Sequence, residues 1–335
     1  MAAPRPRVRI VATGGSISGI GPHRLDYVLY PEVGKRLQIE EMLARIPEAQ
    51  DLAAVDGEDF LNVGSTAVGP TEWLQLARRI NQLFRDDANL AGVVVTHGTA
   101  TLEETAYFLH LTMKDPRPVV ITGAMRPPSA VGTDADLNLL DAIRLAACPE
   151  AAGRGVLTVL NNEIQSARDV TKSNTYRVDT FNSRQLGLLG YVDSEGKVVF
   201  YRAVTRAHTS ATPFDVTNHQ TLPRVDIVYA YAGADGMLVD AARQHGSDGL
   251  VIAGFGGGTF PQAFVDAGAR AAQAGIPVVQ ASRSTSGRVI ITPRKHEQGF
   301  IVSDDLLPQK ARILLMLALT TTREPQALQE LFYQY

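Results

Sequence analysis

Apolar runs of strand length recur along the chain, each closing on glycine or hydroxyl residues: VRIVATGG (8–15), GVVVTHG (92–98), PVVITGAM (118–125) and GVLTVLNN (155–162). Later come DIVYAYAG (227–234), DGLVIAGFGGG (248–258) and IPVVQAS (276–282). Runs so continuously rich in Val and Ile suit strands buried on both faces, and the segments between several of them, such as TEWLQLARRINQLF (71–84), have helical spacing. The alternation predicts an α/β fold: a larger N-terminal, mostly parallel, doubly wound sheet of flavodoxin-like type, followed by a smaller C-terminal α/β domain. Residues 207–225, AHTSATPFDVTNHQTLPRV, lack an apolar period and contain two prolines, so the reading is a catalytic domain at 1–206, a linker at 207–225 and a second domain at 226–335. The second domain closes on two helical stretches, PQKARILLMLALTT and EPQALQELFYQY.

In such sheets ligands bind beyond the carboxyl ends of the strands. The first strand-end loop, ATGGSISG (12–19), offers the paired glycines Gly14 and Gly15, which let backbone approach a ligand, and the hydroxyls of Thr13, Ser16 and Ser18. It has neither the Walker ending nor the full dinucleotide fingerprint. The second loop is Gly98-Thr99-Ala100-Thr101. Thr101 and Glu104 have capping-box spacing, which predicts a helix running to about Met113 with Thr101 as its N-cap and leaves Thr99 without a structural task. The third, RDVTKSN (168–174), carries Lys172, on its own an ordinary surface charge.

Composition narrows the partner. The chain has 335 residues, enough for two cores, with 45% hydrophobic and 20% charged residues. A net charge of -3 without any basic run argues against nucleic acid or an anionic membrane and favours small molecules or proteins as partners. No apolar run approaches the roughly 20 residues of a membrane helix, and Met1 leads almost directly into a strand-like run, so a cytoplasmic setting is expected, with the periplasm the alternative if a signal peptide was removed. Cys148 is the only cysteine, and His23, His208 and His219 show no metal-ligand spacing, so no disulfide, metal or cofactor is expected. His97 reads as a packed or hydrogen-bonded residue.

Six stretches, ATGGSISG, GSTAVGPTEWLQLARRIN, VVVTHGTATLEETAYFL, VITGAMRP, RDVTKSNT and LLPQKARILLMLALT, resemble in order and spacing the bacterial L-asparaginase family, in its asparaginase and glutaminase-asparaginase branch. The resemblance implies that Ser16 stands where the family has its nucleophilic threonine, with Gly15 beside it. Tyr30, or alternatively Tyr27, corresponds to the tyrosine of the loop that follows. Gly64 and Ser65 match the turn that binds the substrate α-carboxylate, and Gly98, Thr99 and Lys172 match the proton-moving pair and its glycine. It further implies that Ser16 attacks an amide carbonyl to form an acyl-enzyme, that backbone amides including that of Ala100 stabilise the oxyanion, that Asp134 holds its loop, and that the protein is a homotetramer with active sites between subunits. Asp169 either orients the Lys172 loop or caps it.

Four positions around the substrate ammonium depart from the family pattern together. An aspartate is replaced by Ala100, a glutamine by Thr66 and an asparagine by Thr259. The acidic residue donated by a neighbouring subunit falls in TPRKHE (292–297), where basic residues such as Arg294 dominate; the alignment is gapped there, so Glu297 could still supply a carboxylate. A buried ammonium without an anionic partner costs several kcal/mol. The expectation is therefore an amidohydrolase for a carboxylate-bearing amide whose α-amino group is absent, acylated or replaced by an anion. Ordinary L-asparaginase or glutaminase activity is the alternative, and an inactive small-acid sensor the third reading.

Overall fold

The computed structural model describes residues 5–335, and the first residues of the chain, on which the cytoplasmic reading partly rests, lie outside them. Two compact units divide between Thr217 and Asn218. In the first, the strands in chain order are β1 (Arg7–Gly14), β2 (Ala54–Val63), β3 (Leu90–Thr96), β4 (Val119–Thr122), β5 (Val156–Leu160), β6 (Glu163–Ser166), β7 (Thr171–Lys172), β8 (Phe181–Asn182), β9 (Gly190–Val192) and β10 (Val198–Phe200). Eight of them form one sheet in the order β10-β9-β6-β5-β4-β3-β1-β2, while β7 and β8 form a separate antiparallel ribbon.

β2, β1, β3, β4 and β5 are mutually parallel, in the 2-1-3-4-5 order of flavodoxin-like sheets. The antiparallel strands β6, β9 and β10 extend the far edge. Every residue of β4 and β5 is buried, as their unbroken apolar sequences require. Helices Ile39–Ala44 and Ala135–Ala147 pack into one core with Val8, Ile10, Val94, Val120 and Leu157, and helices Pro70–Asp86 and Leu102–Thr112 pack against β3, β4 and β5. The strand order reverses between β1 and β3, so the crevice that such a sheet offers a ligand opens between the loops following these two strands.

β2 went unrecognised in the sequence. AVDGEDFLNV lies at the sheet edge with much of its length half-exposed, so charges interrupt the apolar pattern that marks the central strands. The expected linker also divides: Phe214 and Val216 are buried, and Thr212 hydrogen-bonds to Leu111 and receives Lys114 Nζ, which ties the stretch up to 217 onto the first unit. What lacked an apolar period was a tail held by two hydrophobic anchors and a threonine.

In the second unit β11 (Val225–Tyr229), β12 (Gly249–Gly254), β13 (Val278–Ser282) and β14 (Phe300–Val302) form an all-parallel sheet in chain order. The closing helices are Pro308–Ala318 and Pro325–Gln334. Among the described residues no helix is long and apolar enough to cross a membrane.

Candidate active site

Three loops converge at the β1/β3 crevice. Gly14 and Gly15 have φ of +100° and +89°, left-handed conformations that side chains rarely adopt. A Cβ on Gly15 would stand 2.2 Å from the Cα of Gly98, so the two loops touch backbone to backbone. A Cβ on Gly98 would in turn stand 2.8 Å from both Cβ and Oγ of Ser65. The glycines bring Ser16, Ser65 and Thr99 to one place by removing the side chains that would separate them, and all three hydroxyl residues are buried.

The loop after β4 supplies the floor. Ser16 Oγ donates a short hydrogen bond to the Ala124 carbonyl, and a Cβ on Gly123 would lie 3.2 Å from the methyl of Thr99. Asp134 holds this loop by accepting from the amides of Met125 and Arg126, each at 2.9 Å, and from Asn138 Nδ2 at 3.0 Å. Asp134 is thus a brace for the loop.

Lys172, on the β7–β8 ribbon, donates from Nζ to Thr99 Oγ1 at 2.8 Å. Burial holds its ammonium below the ordinary lysine value, and the negative charge of Glu103 opposes that shift. Glu103, itself buried, also accepts weakly from the Lys172 amide at 3.4 Å. Sequence reasoning passed over Glu103, because an acidic residue in the first turn of a helix has an ordinary explanation in the helix dipole. Its place three residues beyond Ala100 was the available signal. Asp169 pairs with Arg168 at 3.2 Å.

The expected cap on Thr101 is replaced by another bond. Thr101 stands at the N-cap position, but its hydroxyl donates to the Ser65 carbonyl at 2.8 Å and makes no cap bond. The competition is between a helix amide and a buried carbonyl of the neighbouring turn, and the turn wins, which locks Ser65 to the start of the helix. Beneath it His97 is fully buried. Burial lowers its pKa to about 4, so the ring is neutral. Thr105 Oγ1 receives Trp73 Nε1–H at 2.8 Å and lies 2.9 Å from His97 Nε2, while His97 Nδ1 lies 2.8 Å from the Gly98 carbonyl. This chain suits an imidazole protonated on Nδ1 that braces the loop, as the packed reading of His97 anticipated.

Of the two tyrosines, Tyr30 packs beside the loop that carries Ser16: a Cβ on Gly19 would meet its ring at 2.8 Å. The Tyr27 hydroxyl instead donates to the Val131 carbonyl at 2.9 Å. Asp26 makes the turn between them by accepting from the amides of Val28, Leu29 and Tyr30. Thr66 and Ala100 are exposed, while Gly64 is half-buried. In the second unit Thr259 is exposed in a tight turn closed by its bonds to Phe255, and Arg294 is exposed on the short helix Pro293–Glu297. Among the described residues no group of three His, Cys, Asp or Glu could hold a metal.

A buried hydroxyl at a glycine turn of a flavodoxin-like sheet, near a threonine hydrogen-bonded to a lysine of lowered basicity, is an arrangement with the chemical means for hydroxyl attack on an acyl carbon. The family profiles for asparaginase, N-terminal, and for the glutaminase/asparaginase C-terminal domain match residues 7–206 and 224–332. The chain belongs to the asparaginase family, whose members hydrolyse amide C–N bonds. It is 44% identical over 334 residues to L-asparaginase 2 of Bacillus subtilis (strain 168), covering 98% of this chain and 87% of that one. To the glutaminase-asparaginase of Pseudomonas fluorescens biotype A it is 38% identical, covering 98% and 90%. The crystal structure of a probable cytoplasmic L-asparaginase from Campylobacter jejuni superimposes with a TM-score of 0.95 at 41% identity, covering 99% of this chain and 100% of that one.

Proposed function

We propose that the protein hydrolyses the amide of a small carboxylate-bearing substrate that lacks a free α-ammonium, such as succinamate or an N-acylated asparagine. The observation that carries this reading is Ala100. It places no carboxylate at the exposed position just ahead of the helix, and of the two acids in the helix's first turn, Glu103 and Glu104, Glu103 is buried and accepts from the Lys172 amide. A zwitterion would bring its ammonium to a turn where Ala100 offers no countercharge, beside the Lys172 ammonium that Glu103 already faces.

In the proposed reaction Ser16 Oγ attacks the amide carbon, and its proton passes to the neutral amine of Lys172 through Thr99. The C–N bond breaks as the leaving nitrogen takes a proton, and water then cleaves the ester to free Ser16. The lowered basicity of Lys172 and its 2.8 Å bond to Thr99 support the base role. The described hydrogen bonds give the Ala100 amide no acceptor, which suits it to an oxyanion. Tyr30, against Gly19, would cover the nucleophile.

Ordinary L-asparaginase or glutaminase activity is the second reading, favoured by the names of relatives at 38% and 44% identity. Ammonia release from L-asparagine, L-glutamine, succinamate and N-acetyl-L-asparagine separates the two, and Ser16→Ala should abolish whichever activity is found. Full turnover by Ser16→Ala would remove the acyl-enzyme mechanism, and binding of every compound without release would leave only a sensor. We also place the protein in the cytoplasm, as the name of the Campylobacter protein suggests. A homotetramer is proposed, with Thr259 and residues 292–297 contributed across subunits. The exposed Ile227, Tyr229, Tyr231 and Leu238 of the second unit support association, and light scattering tests it.

A further inference from the structure

In sequence Arg36 is a basic residue in a polar stretch and reads as a solvated charge. Its backbone is nevertheless fixed to the nucleophile loop. Gly19 and Arg36 form an isolated antiparallel bridge, flanked by the bonds Ile20 N to the Lys35 carbonyl at 2.9 Å and Leu37 N to the Ser18 carbonyl at 2.8 Å. The side chain is half-buried and reaches the carboxylate-binding turn: a Cβ on Gly64 would lie 3.9 Å from Arg36 Nη2 and 4.0 Å from Thr66 Oγ1. From there contacts run without a gap through Ser65 and Gly98 to Gly15 and Ser16.

No carboxylate among the described residues pairs with this guanidinium. Arg9, Arg45, Arg79 and Arg117 each hold an acid at 3.1 Å or less, whereas Glu41 accepts from the Gln38 amide and Asp59 from the Ile39 amide. An arginine clamped by backbone beside the Gly64–Thr66 turn, with its fork unpaired, is arranged for an anion that arrives with the ligand.

We propose that Arg36 is a specificity residue that pairs with the carboxylate of the substrate on the Gly64–Thr66 side, so that the site selects ω-amides of net negative charge. Ala100 removes the anion that would hold an ammonium, and Arg36 adds a cation on the side where the carboxylate sits. The two changes act in the same direction. The proposal rests on the reading of the site as one for carboxylate-bearing amides, and its test stands apart from turnover.

The test compares Arg36→Gln, Arg36→Lys and the unaltered protein for binding of succinate, measured by calorimetry, and for KM with the best-hydrolysed amide of the panel. Succinamide, which has no charge, is the control ligand. Loss of a charged hydrogen-bonded pair should weaken succinate and raise KM by about 10-fold to 100-fold in Arg36→Gln, with kcat little changed. Arg36→Lys should recover part of the loss, because it restores charge without the fork. Succinamide should bind all three proteins alike. Succinate affinity within about twofold of the unaltered protein in Arg36→Gln overturns the assignment, as does an equal loss of succinamide binding, which marks a structural role. A preference for free L-asparagine in the unaltered enzyme would instead defeat the substrate reading and leave the carboxylate pairing to be judged by succinate alone.

Discussion

Gly98 is where the geometry makes its most quantitative demand. A methyl group there would meet Ser65 Cβ and Oγ at 2.8 Å on one side and Gly15 Cα at 3.1 Å on the other. Carbon contacts settle at about 3.5–4.0 Å, so Gly98→Ala must drive the Ser65 turn and the nucleophile loop apart by roughly 1 Å. Overpacking of this kind costs about 1–3 kcal/mol, which for a unit of this size lowers Tm by about 2–12 °C. The larger effect falls on chemistry, because a displacement of about 1 Å between reacting groups costs about 100-fold in rate. Gly69→Ala is the control: its φ is -130°, and its nearest neighbour to a Cβ is Glu72 Oε2 at 3.7 Å. The assay is kcat/KM from ammonia release, beside thermal unfolding of both variants. The reasoning requires a loss near 100-fold in Gly98→Ala with Gly69→Ala close to the unaltered enzyme. A Gly98→Ala variant that keeps its full kcat/KM would refute the claim that glycine contact sets the site.

Two further outcomes follow from the charges. If neutral Lys172 is the base, the rising limb of kcat/KM against pH tracks its titration; Glu103→Gln removes a charge that favours the ammonium and should move the limb to lower pH, while Ala100→Asp should move it to higher pH. A limb unmoved in both variants would take Lys172 out of the base role. His97, with its pKa lowered from 6.5 to about 4, folds as the neutral ring, so its contribution is complete above pH 6.5 and is lost as pH falls from there through 4. The shift is worth about 3 kcal/mol, so denaturant midpoints should fall across that window and fall less in His97→Asn; equal slopes in the two proteins would contradict it.

The central strands were legible because burial on both faces leaves no room for polar residues in β4 and β5, and the candidate site could be located because glycine and hydroxyl residues gather where β1 and β3 end. What escaped notice obeys different rules. β2 is an edge strand whose charges satisfy solvent, and Glu103 and Arg36 have unremarkable explanations until the chain folds around them. Thr101 matched a capping motif, yet spacing along a helix says nothing of a carbonyl 36 residues away in sequence that competes for its hydroxyl. The choice between Tyr27 and Tyr30 likewise depends on a turn drawn by the Asp26 carboxylate, a local bonding pattern with no periodic signature.

The central claim is that Ala100 has turned an asparaginase-type site away from the free amino acid. Its most direct test is the ratio of kcat/KM for succinamate to that for L-asparagine, measured in the unaltered enzyme and in Ala100→Asp. An ammonium left without its partner is worth several kcal/mol, so the ratio should favour succinamate by about 10-fold or more and should swing toward L-asparagine in the variant. A ratio that favours L-asparagine in the unaltered enzyme and does not move in Ala100→Asp would contradict the account.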